Sequence, residues 1–504
     1  MNPMPHLVVL PILLPFVTAL ACVLLGGELR RSHRALGTIA TLVTFLLAAI
    51  LVARTGAGEV LVYRPGAWPA PFGIVLVADR LAAMMLLLTG TVALGALLYA
   101  MNGGDSQGRH FHAFFQLQLA GIHGAFLTGD LFNLFVFFEI LLIASYCLLV
   151  FGGGAARAKA GVHYVVLNLV GSALFLIAIG TLYGITGALN MAHLSVRIAE
   201  LPMADAAIVR AAGLLLIIVF ALKAAAAPFY FWLPGAYSSA TASVAALFAI
   251  MTKVGVYAIA RIATLMFGPE AGAGADLMLP WLLPVAIATC VLGFAGALAS
   301  AHLRVMLGFL LIASVGTILI GLGMFSWSGI GGALYYMVHS TLTFAALFLI
   351  ADLIVRQRGV QGDALSTANP VAEPGRLGAL FFLGAIAVVG LPPLAGFLGK
   401  ALILTAIPAS GLGTAAWVVI LTGSLIALVA LTRAGIALFW NTDAARPAAE
   451  AGSGRRLVPA AALVLVLAAI VIASGPLQSF TSAAAEQLLT PQAYVTTVLG
   501  EGAP

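Results

Sequence analysis

The chain has 504 residues, 62% of them hydrophobic and only 8% charged, and its mean hydropathy is +1.13. Soluble domains carry about 25% charged residues, so a soluble fold is excluded. The net charge of +6 is carried by loop arginines and calls for no nucleic-acid partner.

Apolar runs of about 20 residues, the length that crosses roughly 30 Å of hydrocarbon as helix, recur from one end of the chain to the other. Fourteen spans are predicted, at 7–26, 35–53, 76–100, 111–128, 131–150, 162–186, 208–232, 241–263, 280–300, 303–324, 330–354, 378–408, 414–440 and 456–474. Backbone groups in lipid must be satisfied within the segment, and runs of this length are helices rather than barrel strands. The fold class is therefore an all-α polytopic membrane protein. Residues 1–504 read as one membrane domain, with a core at 76–440 and a C-terminal tail at 475–504. Met1 to His6 contain no Lys or Arg, so no cleavable leader is expected. Cys22, Cys147 and Cys290 all fall in apolar runs without metal-like spacing; no metal site and no cofactor are expected.

Loop charge sets the expected orientation. The odd-numbered loops and adjoining span ends hold 14 Lys and Arg, Arg446 and Arg456 among them, and the even-numbered loops hold six. Positive residues collect on the cytoplasmic side, which puts both termini outside.

The remaining three cations, Lys223, Lys253 and Lys400, sit deep inside apolar spans, and Glu139 is the carboxylate at comparable depth. A charge at mid-membrane costs about 2.5–3.5 kcal/mol on insertion scales, so these side chains are expected to face a partner or a hydrated path. Ser239, Ala242, Ala246 and Ala249 form a small-residue stripe with Lys253, the mark of a helix contact. Span 7 reads KAAAAPFYFWLP from Lys223 to Pro234, and span 12 reads GLPPLAGFLGK from Gly390 to Lys400. Proline removes a helix hydrogen bond and clashes with the preceding turn, so breaks are expected at Pro228 and Pro234, and at Pro392 and Pro393. Lys400 should then lie about two turns, or roughly 10 Å, beyond its break. A Glu139–Lys223 pair could open and close as a switch on the lysine's proton. His339, mid-span in YYMVHST, can bridge from Lys253 toward Lys400. His123, His163 and Asp79 are weaker polar candidates.

These residues resemble the antiporter-like membrane subunits shared by respiratory complex I and the multisubunit monovalent cation/proton antiporters of the Mrp, Mnh or Pha type, with the nearest likeness to the D subunit of those antiporters. The motifs are residues 128–139 (TGDLFNLFVFFE), 164–175 (YVVLNLVGSALF), 182–191 (LYGITGALNM), 252–261 (TKVGVYAIAR) and 391–400 (LPPLAGFLGK). The likeness runs from about Asp79 to Arg433. It implies two inverted five-helix repeats, spans 4–8 and 9–13, with broken helices 7 and 12. It also implies an ion-paired Glu139 and Lys223, a connecting Lys253 and a terminal Lys400. Two departures stand out: Phe344 replaces a lysine common in span 11, and a loop with a family Asp-Leu-Lys-Arg pattern reads HLRV at 302–305.

The expected function is proton translocation, along a buried Glu, Lys, His and water path, in a multisubunit Na+ or K+/H+ antiporter of a bacterial plasma membrane. The chain would be part of a secondary transporter and not an enzyme. Its partners would be the other membrane subunits, H+, Na+ or K+, and lipid. The alternative is a proton-pumping membrane subunit of a respiratory complex I-like or hydrogenase-linked complex.

Overall fold

The computed structural model describes residues 6–26, 30–68, 73–359, 362–366, 369–442 and 454–500, so Arg446 and the last four tail residues lie outside the described residues. The helices in chain order are α1 (His6–Leu24), α2 (Arg30–Gly56), α3 (Arg80–Ala100), α4 (Phe111–Leu127), α5 (Leu131–Leu149), α6 (Ala155–Thr186) and α7 (Met191–Glu200). There follow α8 (Ala206–Ala224), α9 (Trp232–Ser239), α10 (Ala242–Phe248), α11 (Met251–Leu265), α12 (Leu279–Ala299), α13 (Leu303–Leu322) and α14 (Trp327–Arg358). The chain closes with α15 (Pro374–Val389), α16 (Ala395–Ala406), α17 (Leu412–Gly435), α18 (Gly454–Ile472), α19 (Ser474–Leu489) and α20 (Gln492–Leu499). A small antiparallel hairpin, β1 (Leu61–Tyr63) with β2 (Leu76–Ala78), precedes α3.

Twelve of the described helical stretches are long and apolar enough to cross a membrane. The 17 residues of α4, and α15 with α16 taken as one broken span, supply counterparts for the other two expected spans. Polar residues mark the helix starts. Asp79 caps α3 by accepting from the Ala82 amide, and Asp130 caps α5 by accepting from that of Asn133. Asn190 caps α7 in the same way. The tail is helical, with α19 lying against α14, α3 and α11, and α20 against α7.

Every residue from Ala242 to Leu265 is buried. Around α10 and α11 lie α3, α13 and α14, and outside these α1, α2, α6, α17 and α18 present large apolar side chains such as Val162 and Leu465 outward. That is the inverse of a soluble protein and the arrangement lipid requires.

Two sets of contacts recur 172 residues apart. A Cβ on Gly121 of α4 would lie 2.6 Å from the Leu141 amide of α5, and one on Gly293 of α12 would lie 2.5 Å from the Ala313 amide of α13. Gly124 meets Phe137 as Gly296 meets Phe309. The loop after α4 forms a two-residue bridge, Asp130 with Asn190, to the loop after α6; the loop after α12 forms the same bridge, His302 with Ala364, to the loop after α14. The first bridge lies in even-numbered loops and the second in odd-numbered ones, at opposite ends of the bundle. The two five-helix units, one from α4 to α11 and one from α12 to α17, are thus inverted copies, held by glycines that let backbones approach.

The odd-loop cations gather at one end. Between α3 and α4, burial raises the pKa of the Asp105 carboxyl, but hydrogen bonds from His112 and Arg34 outweigh it and hold it at about 2. Arg34 lies 2.6 Å from that carboxylate and His112 3.2 Å.

Because the Gly293 contact is with backbone, Gly293→Val cannot be absorbed by a rotamer change. It should destabilise the protein by about 1–3 kcal/mol, read as a lower thermal denaturation midpoint of the purified protein. Gly180→Ala, whose added Cβ meets nothing within 4 Å, should leave the midpoint unchanged; equal midpoints for the two variants would contradict the close-packed repeat seam.

Candidate functional site

The breaks follow from proline chemistry. In span 12 the carbonyls of Val388 and Val389 would each bond the amide four residues on, but those positions are Pro392 and Pro393, which have no N–H. The orphaned oxygens are taken by Lys400: its Nζ donates to Val388 O at 3.1 Å, to Val389 O at 2.8 Å and to Ser424 Oγ of α17 at 2.8 Å. The expected 10 Å separation from the break is therefore wrong for the ammonium. Lys400 is five residues into α16, and its long side chain turns back along the helix to reach the end of α15. A third carbonyl at this helix end, Ala387 O, accepts from His339 Nε2 of α14 at 3.1 Å.

In span 7 the break runs from Ala225, in the left-handed region at φ 56°, to Phe231, with Pro228 in it. Pro234 is not a break: it lies in the first turn of α9, where an amide has no intrahelical partner and proline is tolerated. The Trp232 indole donates to Leu222 O at 3.2 Å and the Ala227 amide to Thr289 Oγ1 of α12 at 2.9 Å, so the open turn is held by both repeats.

Lys223, at the end of α8, is buried and donates to Asn168 Oδ1 of α6 at 2.9 Å. It makes no ion pair with Glu139, contrary to expectation. The Glu139 carboxylate instead accepts from Ser172 of α6. Asn168 and Ser172 are one helical turn apart, so α6 places two neutral polar groups between the acid and the amine. Glu139 itself is half-buried, on a face that exposes Phe132 and Val136.

Gly255 brings α11 onto α8: a Cβ there would lie 2.5 Å from the Ala224 amide. One turn earlier, the helical ladder tightens to bonds spanning three residues, Ala249 to Ala246, Ile250 to Leu247 and Lys253 to Ile250. Tyr237 OH donates to the Phe248 carbonyl at 2.7 Å. A tightened turn inside a helix often marks a hinge. This irregularity, which carries no proline and was not expected, ends on Lys253. Lys253 is fully buried and its Nζ has no hydrogen-bond partner among the described residues. The hydroxyls of Thr252 and Tyr335, the Gln118 amide oxygen and His339 Nδ1 are likewise buried and unpartnered. Such groups normally find water.

The weaker candidates fall elsewhere. His123 of α4 serves α1: Pro15 has no N–H for the Pro11 carbonyl, which instead accepts from His123 Nδ1 at 2.9 Å. His163 is exposed on the outer face of α6 and bonds only Lys159 O, one turn back, so it is not joined to the buried series. Asp79 forms an ion pair at 2.6 Å with Arg261 of α11 and is a tie between helix ends.

Among the groups that sequence reasoning did not assign, Asn168 and Ser172 had a signal, as polar residues four apart in an apolar helix. Ser424 had none beyond being a serine in an apolar span. The position 172 residues beyond Glu139 is Leu311, which is buried, so the second repeat has no matching acid and Lys400 is held by neutral oxygens alone.

Fold and buried axis together define a multi-pass helical membrane protein with inverted repeats, each broken beside a lysine. Residues 128–430 match the family described as NADH:quinone oxidoreductase/Mrp antiporter, transmembrane, and the chain belongs to that family. It is 41% identical to a probable K(+)/H(+) antiporter D subunit of Rhizobium meliloti, over 98% of this chain and 97% of that one. It is 37% identical to a Na(+)/H(+) antiporter D subunit of Bacillus subtilis, over 99% and 100% of the two chains. A chain in the structure of the Mrp complex from Dietzia sp. superposes with a TM-score of 0.90 at 26% identity, covering 99% of this chain and 100% of that one.

The two lysines differ in what they would leave behind. Lys253→Met removes an unpartnered polar group and should raise the thermal midpoint of the purified protein, by about 1–3 kcal/mol of stability. Lys400→Met strands three oxygens and should lower it by a similar amount. Midpoint shifts of the same sign would contradict this coordination.

Proposed function

We propose that this chain is the proton-translocating member of a multisubunit monovalent cation/H+ antiporter, with Na+ or K+ as the exchanged ion, in a bacterial plasma membrane. The observation that carries the reading is the row of buried ionisable groups along the bundle axis, two of them beside helix breaks. It is supported by full-length relatives named as D subunits of Na(+)/H(+) and K(+)/H(+) antiporters. The alternative of a redox-driven respiratory arm has less support, because those names are antiporter names.

In this reading a proton reaches Lys223 by water running past the Asn168 and Ser172 rungs of α6, with Glu139 as the outer charge. Approach of α5 to α8, with the Asn168 and Ser172 rungs of α6 withdrawn, would pair Glu139 with Lys223 and favour the protonated lysine; the separation in this structure corresponds to the open arrangement. Lys253 has nothing to hold a proton in place and serves as a transit site, fed by water ordered on Thr252, Gln118 and Tyr335. His339 lies at the break that Lys400 occupies, so it can pass a proton on to the lysine. The route crosses the span without a lysine at Phe344, which leaves water and His339 to carry it. The antiporter-subunit names of the relatives support a transporter part rather than an enzyme, and the function depends on the other membrane subunits, the exchanged ions and surrounding lipid.

Lys400→Ala should abolish cation-driven proton flux when flux is normalised to assembled complex. Lys400→Glu, which also titrates, should retain more activity than Lys400→Ala. Normal flux per complex in Lys400→Ala would remove this lysine from the path.

Both termini outside is the orientation that the loop arginines favour. A cysteine at Ser479, exposed on α19, in a chain lacking the three native cysteines, should react with an impermeant thiol reagent in intact spheroplasts. Reaction only after permeabilisation would reverse the orientation.

A further inference from the structure

A polar cavity of about 290 Å³ opens at the end of the bundle where the odd-numbered loops meet. Its wall includes Arg157 from the start of α6, Arg304 from the start of α13, Asp352 and Arg356 from the end of α14, Arg456 from the start of α18, and Thr241 between α9 and α10. None of these residues belongs to the buried lysine series.

The cations are only partly used. Asp352 takes Arg356 Nε at 2.6 Å and the Tyr99 hydroxyl at 2.7 Å. Arg304 bonds Asp363 through Nε at 3.3 Å, and Arg456 bonds Asn102 O through Nε at 2.9 Å. Neither of these two arginines has an acceptor for its Nη groups among the described residues. Arg157 Nε is spent on Ser239 O at 3.0 Å. Among the described residues four guanidinium groups thus face two carboxylates, Asp352 in the wall and Asp363 behind Arg304, an excess of two positive charges. Within the same wall the Thr241 hydroxyl is buried, at 8% residue exposure, and has no partner. A buried hydroxyl and unspent guanidinium donors converging on one concavity are what a tetrahedral oxyanion uses.

We infer that this cavity is a binding site for a phosphate group, held by Arg304, Arg356 and Arg456 with Thr241 as a further donor. Small-molecule pockets run to about 300–1,000 Å³, so a space of about 290 Å³ suits one phosphate or a phospholipid headgroup. The excess charge matches a phosphate dianion or monoanion. Basic pockets between spans at a membrane surface also accept anionic headgroups, so the same chemistry has two sources. The wall draws on both repeats and on the 240–243 link between α9 and α10, the helix that precedes the one bearing Lys253. A bound anion would therefore tie the two inverted units together across that link.

The test uses the purified assembled complex in phosphate- and sulfate-free buffer, at constant ionic strength set by chloride. Inorganic phosphate is titrated while the thermal midpoint is followed. In parallel the complex is placed in nanodiscs of phosphatidylcholine with or without phosphatidic acid, and retained lipid is identified by native mass spectrometry. A saturable midpoint rise with phosphate, or selective retention of phosphatidic acid, is expected, the first pointing to a free anion and the second to a headgroup. R304Q and R456Q should each weaken binding at least about tenfold. T241V, which keeps the shape and loses the hydroxyl, should weaken it severalfold and serves if the arginine variants fail to assemble. Neither phosphate nor phosphatidic acid binding above the chloride and phosphatidylcholine controls would overturn the site. Binding undiminished in both R456Q and T241V would overturn it equally.

Discussion

A carbonyl oxygen in hydrocarbon must have a donor, and much of this molecule is arranged around the places where proline takes that donor away. At Pro392 and Pro393 the two orphaned oxygens are filled by an ammonium, Lys400. At Pro15 the orphan is filled by an imidazole, His123. Where the helix is disturbed without proline, before Lys253, a phenol donates to the Phe248 carbonyl. Titratable groups therefore enter the membrane interior attached to backbone irregularities, and the cost of a broken helix and of a buried polar head group offset one another.

The three buried lysines are graded by this principle. Lys400 has all three of its donors engaged, Lys223 has one firm partner in Asn168, and Lys253 has none among the described residues. The tightened turn before Lys253 lies at the centre of the bundle, where every neighbouring residue is buried, so any hinge motion there must involve α8 through Gly255.

Inversion supplies two similar frames, but the sequence has filled them differently. The first holds an acid on its second helix, Glu139, and the second holds Leu311 at the matching place. The first lysine precedes its break and the last follows it. The glycine contacts that fix each pair of helices are the same, which shows that packing was kept while the charge pattern diverged.

The hydrophobic runs alone determined the all-α, many-spanning class, because lipid leaves the backbone no alternative. The prolines located the breaks in spans 7 and 12, and the rarity of charge at depth singled out Glu139 and the three lysines. What each touches was decided by the tertiary structure. The one-turn rung of Asn168 and Ser172 separates Glu139 from Lys223, although their positions in sequence suit a pair. Lys400 returns to its break because side-chain length, which helix rise per residue does not count, carries Nζ back to α15. Pro234 sits harmlessly in a first turn because α9 starts two residues before it, and His163 faces outward because α6 is an outer helix. Spacing along one helix fixes which residues share a face; which face meets a neighbour depends on helices hundreds of residues away, and only their packing settles it.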